Sequence, residues 1–400
     1  MKKGNFILRR VCLRFKYYPK KQGKTYKTIS VSEYKMNPAY KKLMEKQQYL
    51  FVGEHSAVKI CGWTKKALQD EGMCYKGVFY GINSHRCIQM SPAINFCDMD
   101  CVYCWRDRNN SSFGKVDKPK DVMEAAIRAQ RKLLTGFKGN PKTNQQRMTE
   151  SKEPMHVAIS LNGEATYYPH LSELIRDIKR RGWSSYLVTN GMLPQVLENL
   201  ELPTQLYISL DAANEELQNK ITRSMHKDSW QRLMKSLDIM RSLKGKTRTT
   251  LRLTVVKGLN DIEPEKYAEL FTRANPDFIE VKAYMFVGAS RERLEMQNMP
   301  YHEEVKAFAE KIAQYCDYKI SAEQEASRVV LMTKEDSAPR FIDFEKLKQE
   351  YIAQFASEAE IAPNPELDKL VTAYSDQEQG EQNNSQEEKF IPISAIKVKT

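Results

Sequence analysis

Six short apolar runs, each followed by a stretch of helical periodicity, constrain this 400-residue chain more than anything else in it. The runs are Cys87 to Met90, Val157 to Leu161, Tyr186 to Thr189, Leu206 to Leu210, Leu251 to Val256 and Phe278 to Met285. The helical stretches are Asp121 to Leu134, Leu171 to Arg181, Pro194 to Leu200, Trp230 to Leu243, Glu263 to Ala274 and Glu303 to Tyr315. Strands separated by connections of this length cannot close hairpins, so they lie parallel with right-handed crossovers. The expected fold is α/β, a partial TIM-type (β/α)6 barrel with its reactive residues at the C-terminal strand ends. Thr135 to Pro154 interrupts the pattern and reads as an irregular loop, whose Lys138, Lys142, Arg147 and Lys152 suit nucleic-acid contact or plain solvation. Beyond the sixth unit come a strand-like run, Arg328 to Met332, and a helix, Asp343 to Phe355.

Charge divides the chain unevenly. Residues 1–50 carry 14 Lys or Arg against Glu33 and Glu45, so 14 − 2 = +12, which is the net charge of the whole chain. The other 350 residues are neutral on balance. A basic arm with Tyr17, Tyr18, Tyr26 and Tyr40 among its charges reads as a polyanion-binding extension. Residues 51–90 form a cysteine-bearing region, 91–335 the barrel, and 336–362 a C-terminal helix. Residues 363–400 are rich in Gln, Glu and Asn and cannot bury enough apolar surface to stay folded, so both termini are expected to be flexible. No apolar run is long enough to span a bilayer and Met1-Lys2-Lys3 opens no signal peptide, so the expected location is the cytoplasm.

Six of the eight cysteines fall within 44 residues. Cys97, Cys101 and Cys104 form a C-x₃-C-x₂-C run, and three thiolates so placed can hold three corners of a 4Fe–4S cluster and leave the fourth iron open. No Cys or His in the ten residues after Cys104 offers the fourth ligand that a structural zinc would want. Cys61, Cys74 and Cys87 are spaced evenly, with twelve residues between neighbours. Three short loops could bring them to a second cluster, again with one iron open; a zinc site completed by His85, or unconnected core thiols, are the other readings. Cys12 and Cys316 read as ordinary thiols.

The C-x₃-C-x₂-C spacing, with Tyr103 before the last Cys, resembles the signature of radical S-adenosylmethionine (SAM) enzymes. The resemblance implies that the open iron chelates SAM and that reductive cleavage yields a 5′-deoxyadenosyl radical. The end of the second strand, Asn162-Gly163-Glu164-Ala165, resembles the loop by which that family meets the SAM amino group, with Asn162 and Ala165 in place of Gly and Pro. Thr189 and Asn190 after the third strand, Ser209 and Asp211 after the fourth, and Arg252 on the fifth are further candidates for holding the cofactor. Two more stretches, Cys74-Tyr75-Lys76 and Cys101-Val102-Tyr103-Cys104-Trp105-Arg106, resemble the archaeal tRNA 4-demethylwyosine synthases of the wybutosine pathway.

That narrower resemblance implies a carbon–carbon lyase reaction: condensation of N1-methylguanosine at position 37 of a phenylalanine tRNA with two carbons of pyruvate, closing a third ring. It implies two 4Fe–4S clusters and SAM as cofactors. Pyruvate would chelate the open iron of the Cys61, Cys74, Cys87 cluster or form a Schiff base with Lys76. Eukaryotic members carry a flavodoxin-like domain not seen here, so a separate ferredoxin- or flavodoxin-type donor is expected, with the protein a monomer. Trp105, Arg106 and Arg108 are placed to meet the unstacked base. The rival readings are another two-cluster radical SAM enzyme acting on RNA or peptide, and an RNA-binding protein stapled by metal.

Overall fold

The computed structural model describes residues 36–94, 96–106 and 115–356. In chain order the elements are α1 (Pro38–Lys46), β1 (Leu50–Phe51), β2 (Ala57–Val58), α2 (Gly62–Leu68), α3 (Tyr75–Tyr80), β3 (Cys87–Ser91), α4 (Pro119–Leu134), α5 (Gln145–Glu150) and β4 (His156–Ile159). Then follow α6 (Leu171–Arg180), β5 (Ser184–Thr189), α7 (Pro194–Glu198), β6 (Gln205–Ser209), α8 (Glu215–Thr222), α9 (Ser229–Ser242) and β7 (Arg248–Val255). The last are α10 (Pro264–Ala274), β8 (Phe278–Ala283), α11 (His302–Ala313), β9 (Lys319–Gln324), β10 (Val329–Thr333) and α12 (Phe344–Ala356). All strands belong to one sheet ordered β1-β2-β3-β4-β5-β6-β7-β8-β10-β9. From β3 to β8 every pairing is parallel, whereas β1, β2, β9 and β10 add antiparallel edges. The expected six-unit partial barrel is thus present.

The helices dock as their sequences direct. In α6 the apolar Leu171, Leu174, Ile175 and Ile178 recur at i, i+3, i+4 and i+7 and are all buried, with Glu173 in the first turn and Lys179 and Arg180 in the last to match the helix dipole. Each such side chain contributes about 1.5–3 kcal/mol on burial. Along the strands alternate residues sort to two cores. Leu187, Leu206, Ile208, Leu251, Leu253, Ile279 and Val281 pack outward against the helices. Tyr186, Tyr207 and Phe278 face the barrel interior, where they meet Tyr75, Phe79 and Tyr80 of α3. A helix therefore fills the middle of the barrel.

Several expectations needed revision. Thr135–Pro154 is not irregular throughout: it contains α5, and Arg147 there pairs with Asp70 at 2.7 Å and donates to the Ala67 carbonyl, bracing α2. Residues 36–50, read with the basic arm, instead include helix α1, whose buried Tyr40 and Met44 pack with Tyr49, Ala57, Ile94 and Leu161. The sixth strand stops at Ala283, short of Met285. Helix α8 and strands β1, β2 and β9 were not anticipated. Cys12, Tyr17, Tyr18, Tyr26, Arg108 and the polar segment 363–400 lie outside the described residues. No helix among the described residues is long and apolar enough to cross a membrane.

Candidate active site

At the C-terminal ends of the parallel strands lies a cavity of about 250 Å³. Its lining includes Cys97, Cys101 and Cys104 together with Asn162, Gly163, Glu164, Thr189, Asn190, Ser209 and Asp211. The cysteine loop is held by borrowed backbone: Asp100 and Val102 donate their N–H groups to the carbonyls of Thr222 and Ile221, in the last turn of α8. Those carbonyls have no partner within their own helix, so the loop and the helix end satisfy each other. Arg293 adds hydrogen bonds to the carbonyls of Val102 and Cys104.

Gly163 explains why the β4 loop lies so close to the cysteine loop. Its φ is +66°, and a Cβ there would sit 1.8 Å from the Ala93 carbonyl oxygen and 2.7 Å from that of Phe96. With nothing but hydrogen at that position, the next residue, Glu164, can donate its N–H to Phe96 at 2.7 Å. Asn162 at the cavity edge also braces the loop, its side-chain amide donating to the Tyr40 hydroxyl at 3.3 Å and the Ile94 carbonyl at 3.4 Å.

Glu164 is 3% exposed. Its Oε1 accepts from the Thr166 N–H and hydroxyl and from the Thr189 hydroxyl, while Oε2 accepts only from the Asn190 N–H among the described residues. Burial, and then the charge of Asp98, push its carboxyl up to about 6. Asp98 is a functional-site residue that the sequence reading missed. It is 1% exposed and accepts from Tyr167 (2.9 Å), the Asn190 amide (2.6 Å) and His226 (2.8 Å). A carboxylate between two cysteines carries no periodic signal in one sequence. Tyr103 was noted only as an aromatic before Cys104; its hydroxyl donates to Asp211, whose other oxygen accepts the Thr254 N–H at 2.7 Å.

Arg252 does not line this cavity. It stands in register with Ser209, which does, and with Glu280 on the far side. It pairs with Glu280 at 3.3 Å and donates to the Tyr75 hydroxyl at 3.0 Å, joining α3 to the barrel wall. In this lower layer Lys76 is 6% exposed, with Nζ 4.3 Å from the centre of the Tyr207 ring and 5.0 Å from that of Tyr186. Among the described residues it has no salt bridge, and burial, followed by the charge of Arg252, lowers its pKa. The nearby Lys282 is lowered to about 8 by burial and then Arg252, but its amine donates to the Ser327 carbonyl at 2.7 Å.

The second cysteine trio converges from three element starts: Cys61 precedes α2, Cys74 precedes α3 and Cys87 opens β3. Their loops are tied through Ser84, which accepts at its carbonyl from the Thr64 hydroxyl and at its own hydroxyl from the Cys74 N–H. Cys74 and Cys87 are each pushed up to about 12, first by burial and next by the neighbouring thiol, Cys61 for Cys74 and Cys74 for Cys87. Burial of neighbouring thiols disfavours their thiolates, and a cation among them would offset that. Two of the three sit at helix N-termini, where the dipole favours negative charge. His85 is engaged by Glu150 at 2.7 Å. Among the described residues no group of three His, Cys, Asp or Glu side chains is set to hold a single metal ion. A cubane differs in that each thiolate binds a different iron, which asks for wider spacing.

Comparison with known proteins agrees with this geometry. Residues 91–271 match the radical SAM superfamily, and residues 273–334 match the wyosine base formation family. The chain is 46% identical over 307 residues to the S-adenosyl-L-methionine-dependent tRNA 4-demethylwyosine synthase of Pyrococcus abyssi, covering 74% of this chain and 89% of that one. The Methanocaldococcus jannaschii protein of the same name is 39% identical over 304 residues, with 74% and 96% covered. Two solved structures are similar: TYW1 with a lysine-pyruvate adduct bound (37% identity, TM-score 0.70, 78% of this chain and 99% of that one) and archaeal TYW1 (34% identity, TM-score 0.65, 77% and 100%). On these grounds the chain belongs to the radical SAM family of tRNA 4-demethylwyosine synthases.

Proposed function

We propose that this chain condenses N1-methylguanosine at position 37 of a phenylalanine tRNA with two carbons of pyruvate, forming the tricyclic 4-demethylwyosine base with loss of the pyruvate carboxyl carbon. One observation carries the reading: a buried lysine with no salt bridge among the described residues lies in the layer beneath a cavity whose lining includes three cysteines. Cys97, Cys101 and Cys104 would hold one 4Fe–4S cluster, and Cys61, Cys74 and Cys87 a second. With SAM bound, the first cluster supplies a 5′-deoxyadenosyl radical as the hydrogen-abstracting agent.

The chain's own residues supply position and charge. Glu164, with Oε2 accepting a single hydrogen bond, is suited to an ammonium such as the amino group of SAM, and that cation would favour its ionised form. Thr189 and Asn190 fix this carboxylate and contribute the cavity wall; the Ser209 hydroxyl is available to a ribose, with Asp211 held behind by Tyr103. Lys76, with its pKa lowered by burial, presents more free amine to the keto group of pyruvate than a surface lysine would. The similar structure with a lysine-pyruvate adduct supports the Schiff base over simple chelation. Arg252 serves the lower layer by tying Tyr75, next to Lys76, to Glu280.

The test is an anaerobic incubation of cluster-loaded protein, reductant, SAM and pyruvate with tRNA bearing N1-methylguanosine, followed by mass spectrometry of the nucleosides. The tricyclic base is the expected product. SAM cleavage with no change in the base would retire the substrate and keep the radical chemistry. An electron donor of ferredoxin or flavodoxin type, a monomeric protein and a cytoplasmic location complete the proposal.

A further inference from the structure

The cavity contains one buried cation that no described residue neutralises. Arg106 is 7% exposed, lines the cavity, and keeps Nη1 buried with no hydrogen-bond partner among the described residues. Its guanidinium carbon lies 3.3 Å from the centre of the Trp105 ring and 5.2 Å from that of Tyr49. Aromatic faces thus cover the plane of the guanidinium while donor capacity at its edge stays unused. Cation–π contact offsets only part of the cost of burying an unpaired charge. A buried, unpartnered arginine edge at the wall of a cavity is a place for an oxyanion.

The surroundings favour one source of that oxyanion. Glu164 and Asp211 make the cavity lining acidic, and Asp98 of the cysteine loop lies just behind it, accepting from the Asn190 amide. Arg106 instead keeps company with Trp105, 40% exposed, and with Lys59, whose Nζ is 4.6 Å from the Tyr49 ring centre and 5.9 Å from that of Trp105. Helix α1 packs Tyr40 and Met44 into the core shared with Tyr49 and exposes Lys41, Lys42 and Lys46. The Trp105 backbone is fixed: Ala289 donates to its carbonyl at 3.0 Å, and Gly288 lies so near that a Cβ would come within 2.1 Å of the same oxygen. An exposed indole on a fixed backbone beside a buried arginine, with lysines outside, is the arrangement that reads single-stranded RNA by stacking and phosphate contact.

We propose that Arg106 receives a backbone phosphate of the RNA next to the nucleotide that enters the cavity, while Trp105 stacks on a base. The assignment rests on the reading that the substrate is tRNA. The test uses full-length, cluster-loaded protein and tRNA bearing N1-methylguanosine, with affinity measured by fluorescence anisotropy over a salt series. Arg106→Gln is expected to bind about tenfold more weakly and to lower the slope of log affinity against log salt by about one. Arg106→Lys should keep the slope, since it keeps the charge. Trp105→Leu should cost about tenfold in affinity with the slope unchanged, which keeps the stacking half testable if Arg106→Gln loses its iron.

An Arg106→Gln slope equal to that of the wild type overturns the proposal. So does a loss confined to SAM affinity, or to pyruvate trapped by borohydride, because the oxyanion would then be a carboxylate. Wild-type protein that makes the tricyclic base while Arg106→Gln keeps its slope overturns this proposal alone. Wild-type protein that binds no such tRNA overturns the substrate reading with it.

Discussion

The two cysteine trios are held in opposite ways. Cys97, Cys101 and Cys104 sit on one loop whose shape is lent to it by α8 and Arg293. Cys61, Cys74 and Cys87 sit at the starts of three separate elements, so their approach depends on how α2, α3 and β3 pack. The upper trio is compact in sequence and opens on acidic groups; the lower trio is dispersed and stands near a lysine and an arginine. In the sequence, close spacing singles out one reading for the upper trio, while the even spacing of the lower trio leaves three readings open until the packing is seen.

The largest effect that would test this division is expected at Lys76. Lys76→Ala should lower formation of the tricyclic base by on the order of a hundredfold or more, because pyruvate loses its tether. Borohydride trapping followed by peptide mass spectrometry should find the adduct at Lys76 in the wild type; trapping at Lys282 would reassign the amine. Next, Cys74→Ala should reduce iron from about eight to about four atoms per chain. Retention of all the iron would dismiss the lower trio as ligands.

Gly163→Ala acts on the upper site alone. Positive φ adds about 1–3 kcal/mol of strain, and the contact with the Ala93 carbonyl forces the loop outward. SAM affinity should drop while pyruvate trapping at Lys76 persists; equal loss of both would break the separation of the sites.

The smallest effects are in pH dependence, and they have opposite signs. Glu164 is raised from 4.5 to about 6 by burial and then Asp98, so its contribution to stability is full below pH 4.5 and lost as pH rises through 6. That loss is worth about 2 kcal/mol. His156, in the lower region, is lowered from 6.5 to about 3 by burial and then Arg86. Its contribution is full above pH 6.5 and lost as pH falls through 3. Urea midpoints of SAM-free protein between these limits should fall less with pH in Glu164→Gln and rise less in His156→Gln. Wild-type pH slopes in both variants would refute the pairing.

Much of the barrel was legible because strands such as β5, β6 and β8 are buried along nearly their whole length and carry apolar runs. Helix α8 was not, since Glu215–Thr222 has only Leu217 and Ile221 as large apolar residues. Strand β9 alternates exposed and half-buried residues at an edge and offers only Ile320 and Ala322 as apolar residues. Of the upper site, Gly163 and Glu164 were found through the loop they form, whereas Asp98, His226 and Tyr167 meet only across loops distant in sequence. For Arg252 the strand alternation told which way the side chain faces, but not that Tyr75 and Glu280 would be waiting for it.

The grip of α8 on the cysteine loop has a consequence for how the protein is made. Because carbonyls at a helix end gather the Cys97–Cys104 segment, the entropy of ordering that loop is spent during folding and not when iron arrives. Cluster assembly there becomes insertion into a finished receptacle, unlike small zinc domains that stay unfolded until metal binds.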